Sequence, residues 1–178
     1  MGHIVQAFIA SIAALERIQQ QFSKSQVVDL QQGLALLPLL NELYDAIPNE
    51  EDTDLVDKHF TFLTPKIVQL IISHSEKEPI GYFETEYFGG LGDQGAILGK
   101  DGKIIFGPEV GSGSINQMLA LMSFESNGIQ DEFDTIGLGR FRDNEDWITQ
   151  PDFSRPLPPP STFFSRFLSR IRGTRATK

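Results

Sequence analysis

The chain has 178 residues, enough for one domain with an ordinary core plus an appendage, and it contains no cysteine. Disulfide frameworks, thiolate zinc sites and cysteine nucleophiles are thereby excluded. All 24 acidic residues but only ten Lys and Arg lie in residues 1–160, a body of −14, whereas residues 161–178 carry four Arg and one Lys, a tail of +5. A body this acidic repels nucleic acid and attracts a basic protein, although the same charge also serves plain solubility.

Residues 3–10 read as a half-buried strand, and Ser11 stands where it can cap a helix over Ile12 to Phe22, a stretch rich in helix formers. The apolar run Ile4 to Leu15 is broken by Gln6 and Ser11 and lacks the basic flank of a secretory segment. It is too short to span a bilayer, and Gln6 stands where a myristoylation signal wants Ser or Thr, so a cytoplasmic protein is expected.

Gln26 to Leu30 and Leu34 to Leu37 read as short strands, Pro38 ends the second, and Leu39 to Ile47 suggests a short helix. An acidic loop from Pro48 to Asp54 follows. Thr64-Pro65 starts a helix by the N-cap and N1 rule. Ile80 to Phe88 is the strongest strand pattern in the chain, and Lys100-Asp101-Gly102 places a tight turn between two further strands, 95–99 and 103–106. These three strands form a predicted antiparallel meander over 80–106. Gly107-Pro108 is expected to close the sheet, Ser114 to cap a helix reaching Glu125, and Asp131 to Ile136 to form a short helix.

Beyond Trp147 the periodicity fades. Pro151, Pro156 and Pro158-Pro159-Pro160 make residues 151–160 a semi-rigid connector. In residues 161–178, Phe163, Phe164, Phe167, Leu168 and Ile171 share one helical stripe with Arg166, Arg170 and Arg172 around it, a basic amphipathic pattern. Four fates are open to such a tail, which docks on its own acidic body, on a second subunit or on a membrane surface, or stays disordered; opposite charge favours the body. The expected fold is thus a single α+β domain over 1–150, with a largely antiparallel sheet covered by helices, followed by connector and tail.

The segment with most chemical content is Ile80 to Ile97, where an aromatic strand carrying Glu84 and Glu86 meets a loop with glycines at 89, 90, 92 and 95. Gly90-Leu91-Gly92-Asp93-Gln94-Gly95 matches G-x-G-x-x-G, but the fingerprint must open a helix that receives a phosphate, and Ala96-Ile97-Leu98 continues as a strand. Strand, glycine loop, strand is the layout of the phosphate-covering loop of protein kinases, but no Val-Ala-Ile-Lys, His-Arg-Asp or Asp-Phe-Gly segment follows. No cofactor is expected.

Glu84 and Glu86 fall on one strand face, roughly 7 Å apart by strand rise, within range of acid–base work with Asp93 nearby. The competing reading is a solvated acidic face on a sheet whose aromatic side is buried. Tyr87, Phe88, Gly89, Gly90, Gly92 and Gln94 are the candidate binding residues around the loop. His3, His59 and His74 share no ligand spacing, and the local oxygens are too few for Ca²⁺ or Mg²⁺, so no metal is expected. Gly111-Ser112-Gly113-Ser114 has the wrong order for a nucleophile elbow. Asp131-Glu132-Phe133-Asp134 and Asp143-Asn144-Glu145-Asp146-Trp147 join acids to an aromatic, a combination that can dock a basic partner.

The segment Glu84-Thr85-Glu86-Tyr87-Phe88-Gly89-Gly90-Leu91-Gly92-Asp93-Gln94-Gly95-Ala96 resembles one shared by a family of small, uncharacterised bacterial proteins. The resemblance covers the meander and the body over 3–147, not the tail, and it implies no activity and no functional residue. The expected function is a bacterial cytoplasmic binding protein, an acidic inhibitor or immunity-type partner of a basic protein. The alternative is a hydrolase or metal-dependent enzyme built on Glu84 and Glu86.

Overall fold

The computed structural model describes residues 2–49, 54, 60–88 and 91–149; the connector, the basic tail, His59, Gly89 and Gly90 lie outside the described residues. In chain order the elements are β1 (His3–Ser11), α1 (Ile12–Gln21), β2 (Val28–Asp29), β3 (Leu34–Pro38), α2 (Asn41–Ala46), α3 (Pro65–His74), β4 (Ile80–Phe88), β5 (Leu91–Lys100), β6 (Lys103–Val110), α4 (Ser114–Leu121), α5 (Glu132–Ile136) and α6 (Asn144–Thr149). One six-stranded sheet in the order β2-β3-β1-β4-β5-β6 joins them, every neighbouring pair antiparallel. This is a single α+β domain, with the predicted meander as its β4-β5-β6 half.

Helices cover both faces of the sheet. Phe8, Leu37, Tyr82 and Ile97 pack under α1, α2 and α3 through Leu15, Ile18, Leu43, Ile67 and Ile71. Val5, Ala7, Ile9, Phe83 and Leu98 pack on the other side against Ile115, Met118, Phe133 and Trp147 of α4, α5 and α6. Each large apolar side chain so buried contributes about 1.5–3 kcal/mol. The half-buried strand expected over residues 3–10 is therefore corrected: β1 is buried on both faces from Val5 to Ala10, which is why its sequence is a nearly unbroken apolar run.

Local signals set several boundaries. The Ser11 hydroxyl accepts from Ala14 N–H at 3.1 Å and fixes the start of α1. Pro65 opens α3, but the Thr64 hydroxyl makes no capping bond. Three boundaries differ from expectation. The strand expected over Gln26 to Leu30 is the two-residue β2. Gly107-Pro108 does not end the sheet, since β6 continues to Val110. Gly113, at φ 87°, is the N-cap of α4, while the Ser114 hydroxyl turns inward and donates to the Gln94 carbonyl at 3.3 Å.

The largest departure lies at the end of the domain, where an unexpected helix, α6, runs across Trp147, the point at which periodicity fades. Asp143 caps it by accepting from Asp146 N–H at 2.8 Å, and Trp147 is fully buried, edge-on to Phe141 at 5.0 Å between centroids. Asn144 ties this helix to the sheet: its Oδ1 accepts from Gln6 N–H at 3.0 Å, and its Nδ2 donates to the Leu39 carbonyl at 2.8 Å. Ile4 N–H donates to the Arg142 carbonyl at 2.8 Å, so the chain around 142 runs beside β1 where β3 has turned away. Phe133 and Trp147 both serve the core. Neither is available as a surface anchor, which corrects the docking role expected for the two acidic segments around them.

Candidate functional site

The β4–β5 hairpin carries the candidate residues, and its register decides their roles. Phe88 pairs with Leu91, Tyr87 with Gly92, Glu86 with Asp93, Thr85 with Gln94 and Glu84 with Gly95. The chain thus leaves β4 at Phe88 and returns at Leu91, so the expected glycine loop over 89–95 is corrected to a two-residue connection. Gly92 to Gly95 belong to β5. No helix follows the G-x-G-x-x-G match, and the amides that would have faced a phosphate are in a strand.

Two glycines here answer to close approach. At Gly92, φ is 148° and a Cβ would lie 1.9 Å from the Glu86 carbonyl oxygen. At Gly95 a Cβ would fall 2.4 Å from Cζ of Phe60, whose ring lies directly on the strand. The ring of Phe60 and the main chain after it form a wall over the sheet. Between that wall and the hairpin end is a cleft of about 370 Å³, lined by Thr61, Glu84, Glu86, Phe88, Leu91, Asp93 and Val110 among others.

Glu84 and Glu86 share this face, as expected, yet their environments separate them. Glu84 is 7% exposed; its Oε2 accepts from Thr61 N–H at 2.8 Å, and its Oε1 accepts from Phe62 N–H and the Tyr82 hydroxyl, both at 2.9 Å. Burial raises its pKa above the usual carboxylate value, and the two main-chain amides pull the other way. The Tyr82 hydroxyl is driven well above its ordinary value, first by its own burial and then by the Glu84 charge. Glu84 is a tie: it satisfies the amides that lead the chain from Phe60 into α3. The expectation of a solvated acidic face fails for it, because helices cover that face of the sheet as well.

Glu86 and Asp93 are exposed, face each other across the two strands, and have no ion pair to a described cation. Like charges directly opposite on a sheet are destabilising. Asp93→Asn should therefore stabilise the fold by about 0.5 kcal/mol, read as a higher midpoint in urea. A lower midpoint would mean that the carboxylate is compensated. Around the pair the surface is apolar: Phe88 is 77% exposed, Leu91 82%, and Ile4, which pairs with Glu86, 49%.

The remaining candidates divide by face. Tyr87 is half-buried on the opposite side of the sheet, where burial first and the Asp93 charge second raise its hydroxyl to about 12. Gln94 is buried, and its carbonyl accepts from Gly111 N–H at 2.8 Å as well as from Ser114. Gly89 and Gly90 lie outside the described residues. Sequence reasoning missed Phe60, Leu91 and Ile4; Leu91 was visible as a large apolar residue inside the glycine match. Among the described residues, no group of three or more His, Asp or Glu is placed to hold a metal, and no helix is long and apolar enough to cross a membrane.

His3 is structural. Its Nδ1 lies 2.8 Å from the Thr85 hydroxyl, its Nε2 3.3 Å from the Leu138 carbonyl, and its ring packs on Phe133. The neutral ring with its proton on Nε2 satisfies both contacts, and burial lowers the pKa from 6.5, with Arg142 adding to the effect. Below pH 6.5 the unfolded chain binds a proton that the folded ring refuses, so this stabilisation is complete above 6.5 and lost as pH falls toward the folded value. Denaturant midpoints of the wild type should fall relative to those of His3→Gln as pH drops from about 7 to 5. A constant difference would contradict the assignment.

Comparison of the chain with protein-family models, with curated proteins and with solved structures yields no match.

Proposed function

We propose that the chain is a non-enzymatic binding protein that receives a basic protein partner, in the manner of an acidic inhibitor or immunity-type protein, in the cleft at the end of the β4–β5 hairpin. One observation carries the reading: a Glu86–Asp93 pair with no ion pair to a described cation, set among exposed Phe88, Leu91 and Ile4. The acids favour an Arg or Lys, and the apolar rim favours the stem or aromatic neighbour of that cation. Among the described residues, the cleft lining contains no Lys or Arg to compete. Against the hydrolase or metal-dependent alternative weighs the state of Glu84, whose two oxygens already accept from two amides and a hydroxyl. A base or ligand needs a free lone pair aimed at substrate.

The test is capture of proteins from the source cell on the immobilised full chain, followed by purification of each basic protein retained and titration calorimetry. A partner whose Kd weakens at least tenfold with Glu86→Lys/Asp93→Lys supports the reading. Unaltered binding to that double variant, or a hydrolytic turnover abolished by it, rejects the reading.

A further inference from the structure

We propose that the chain's own basic segment, residues 161–175, docks in the Glu86–Asp93 cleft and acts as an intramolecular competitor for the partner; this rests on the cleft being the docking surface described above. The complementarity is of two kinds. The cleft offers two exposed carboxylates without a described counter-ion among exposed Phe88, Leu91 and Ile4. At helical spacing, the segment offers a stripe of Phe163, Phe164, Phe167, Leu168 and Ile171, with Arg166 and Arg170 on one flank and Arg172 on the other. Aromatic and aliphatic groups meet the apolar rim while guanidinium groups meet the acids, the arrangement by which amphipathic helices seat in grooves.

The connection is long enough and starts in the right place. Arg142 is hydrogen-bonded to Ile4, Ile4 pairs with Glu86, and Glu86 pairs with Asp93, so the chain before α6 lies within two strands of the acid pair. Two strand spacings are roughly 10 Å. Helix α6 carries the chain six residues, to Thr149, on the opposite face of the sheet. The eleven residues 150–160, proline-rich, reach about 34 Å when extended, enough to pass round the end of the sheet. Tethering makes the local concentration of the segment high, on the order of millimolar, so a weak contact suffices for occupancy. An external basic partner must then displace a resident ligand of the same chemistry. Intramolecular cover of this kind shields Phe88 and Leu91 until a tighter partner arrives.

The absence of cysteine permits a direct test on the full chain. Ser169 lies off the apolar stripe, so Ser169→Cys carries a nitroxide without replacing an anchor. The expected result is loss of more than half the amide peak intensity over residues 84–95, and its recovery in Arg166→Glu/Arg170→Glu and, independently, in Glu86→Lys/Asp93→Lys. Broadening on another surface, or none, overturns the proposal. So does broadening that persists when nitroxide and isotope label are on different chains, which would assign the contact to a second copy. Movement of the segment to anionic lipid vesicles with the cleft amides unchanged overturns it too. If the segment makes no contact while a basic partner still loses affinity on Glu86→Lys/Asp93→Lys, the tail inference fails and the binding function stands. If the double variant leaves the partner's affinity unchanged but broadening is present, the segment occupies the cleft without competing, and both the competitor role and the proposed binding site are rejected.

Discussion

Replacement of Glu84 by alanine is expected to lower stability by about 3 kcal/mol, because three donors lose their acceptor at roughly 1 kcal/mol each. Those donors are Thr61 N–H, Phe62 N–H and the Tyr82 hydroxyl, the last inside the core. For a domain of this size the loss corresponds to a fall in Tm of roughly 10 °C. Glu84→Gln should also destabilise, since its amide group sets a donor against donors where the carboxylate presented acceptors on both sides. The pair of variants separates a tie from a catalyst. A general base replaced by Gln loses turnover and leaves the melting curve in place, whereas a tie replaced by Gln loses Tm. Retained Tm in both variants would remove Glu84 from the architecture described above. Partner affinity gives a further readout, because freeing the chain around Phe60 loosens one wall of the cleft.

The second large effect is expected at Trp147. Trp147→Ala should cost about 3–5 kcal/mol, the range for truncating a large buried aromatic side chain. Its ring is fully buried against Phe141 and is part of the core shared with Val5, Leu36 and Phe83. The indole N–H has no hydrogen-bond partner among the described residues, so the loss is one of packing and apolar burial. Asn144, bound to Gln6 and Leu39, holds the same helix to the free flank of β1. Urea unfolding with amide exchange on β1 checks the assignment: the variant should lose midpoint and protection together. Unchanged protection in β1 would show that α6 is dispensable to the sheet.

The parts of this fold written in local chemistry were legible in the sequence. Ser11 before a run of helix formers, Pro65 at a helix start and Asp101-Gly102 between two strands each act over a few residues, and each element stands where expected. The parts set by distant contacts were not. β1 alternates poorly because helices bury both its faces, and one strand alone does not reveal what covers it. Gly92 looked like a loop glycine, yet it is in a strand, and nothing local showed that Gly95 is small because the Phe60 ring lies on it. Trp147 among acids looked like a surface anchor, but Asp143 caps a short helix that turns the indole inward.

The candidate site divided in the same way. Alternation alone placed Glu84 and Glu86 on one face, and the hairpin register added Asp93 opposite Glu86. Nothing in the spacing foretold that Glu84 would be consumed by the amides of Thr61 and Phe62, since that bond joins residues from separate elements. The surface that remains is an acid pair between apolar side chains. That pairing of chemistries turns a charge asymmetry in the composition into a specific place on the molecule.

The most direct measurement is the salt dependence of partner affinity in Arg166→Glu/Arg170→Glu, in which the chain's own basic segment no longer competes, with and without Glu86→Lys/Asp93→Lys. Attraction through an exposed acid pair requires affinity to fall steeply as salt rises while the acids are intact, and the protein that also carries Glu86→Lys/Asp93→Lys to bind at least tenfold more weakly with a much shallower slope. Equal slopes and equal affinities for the two proteins would contradict the cleft as the place of binding.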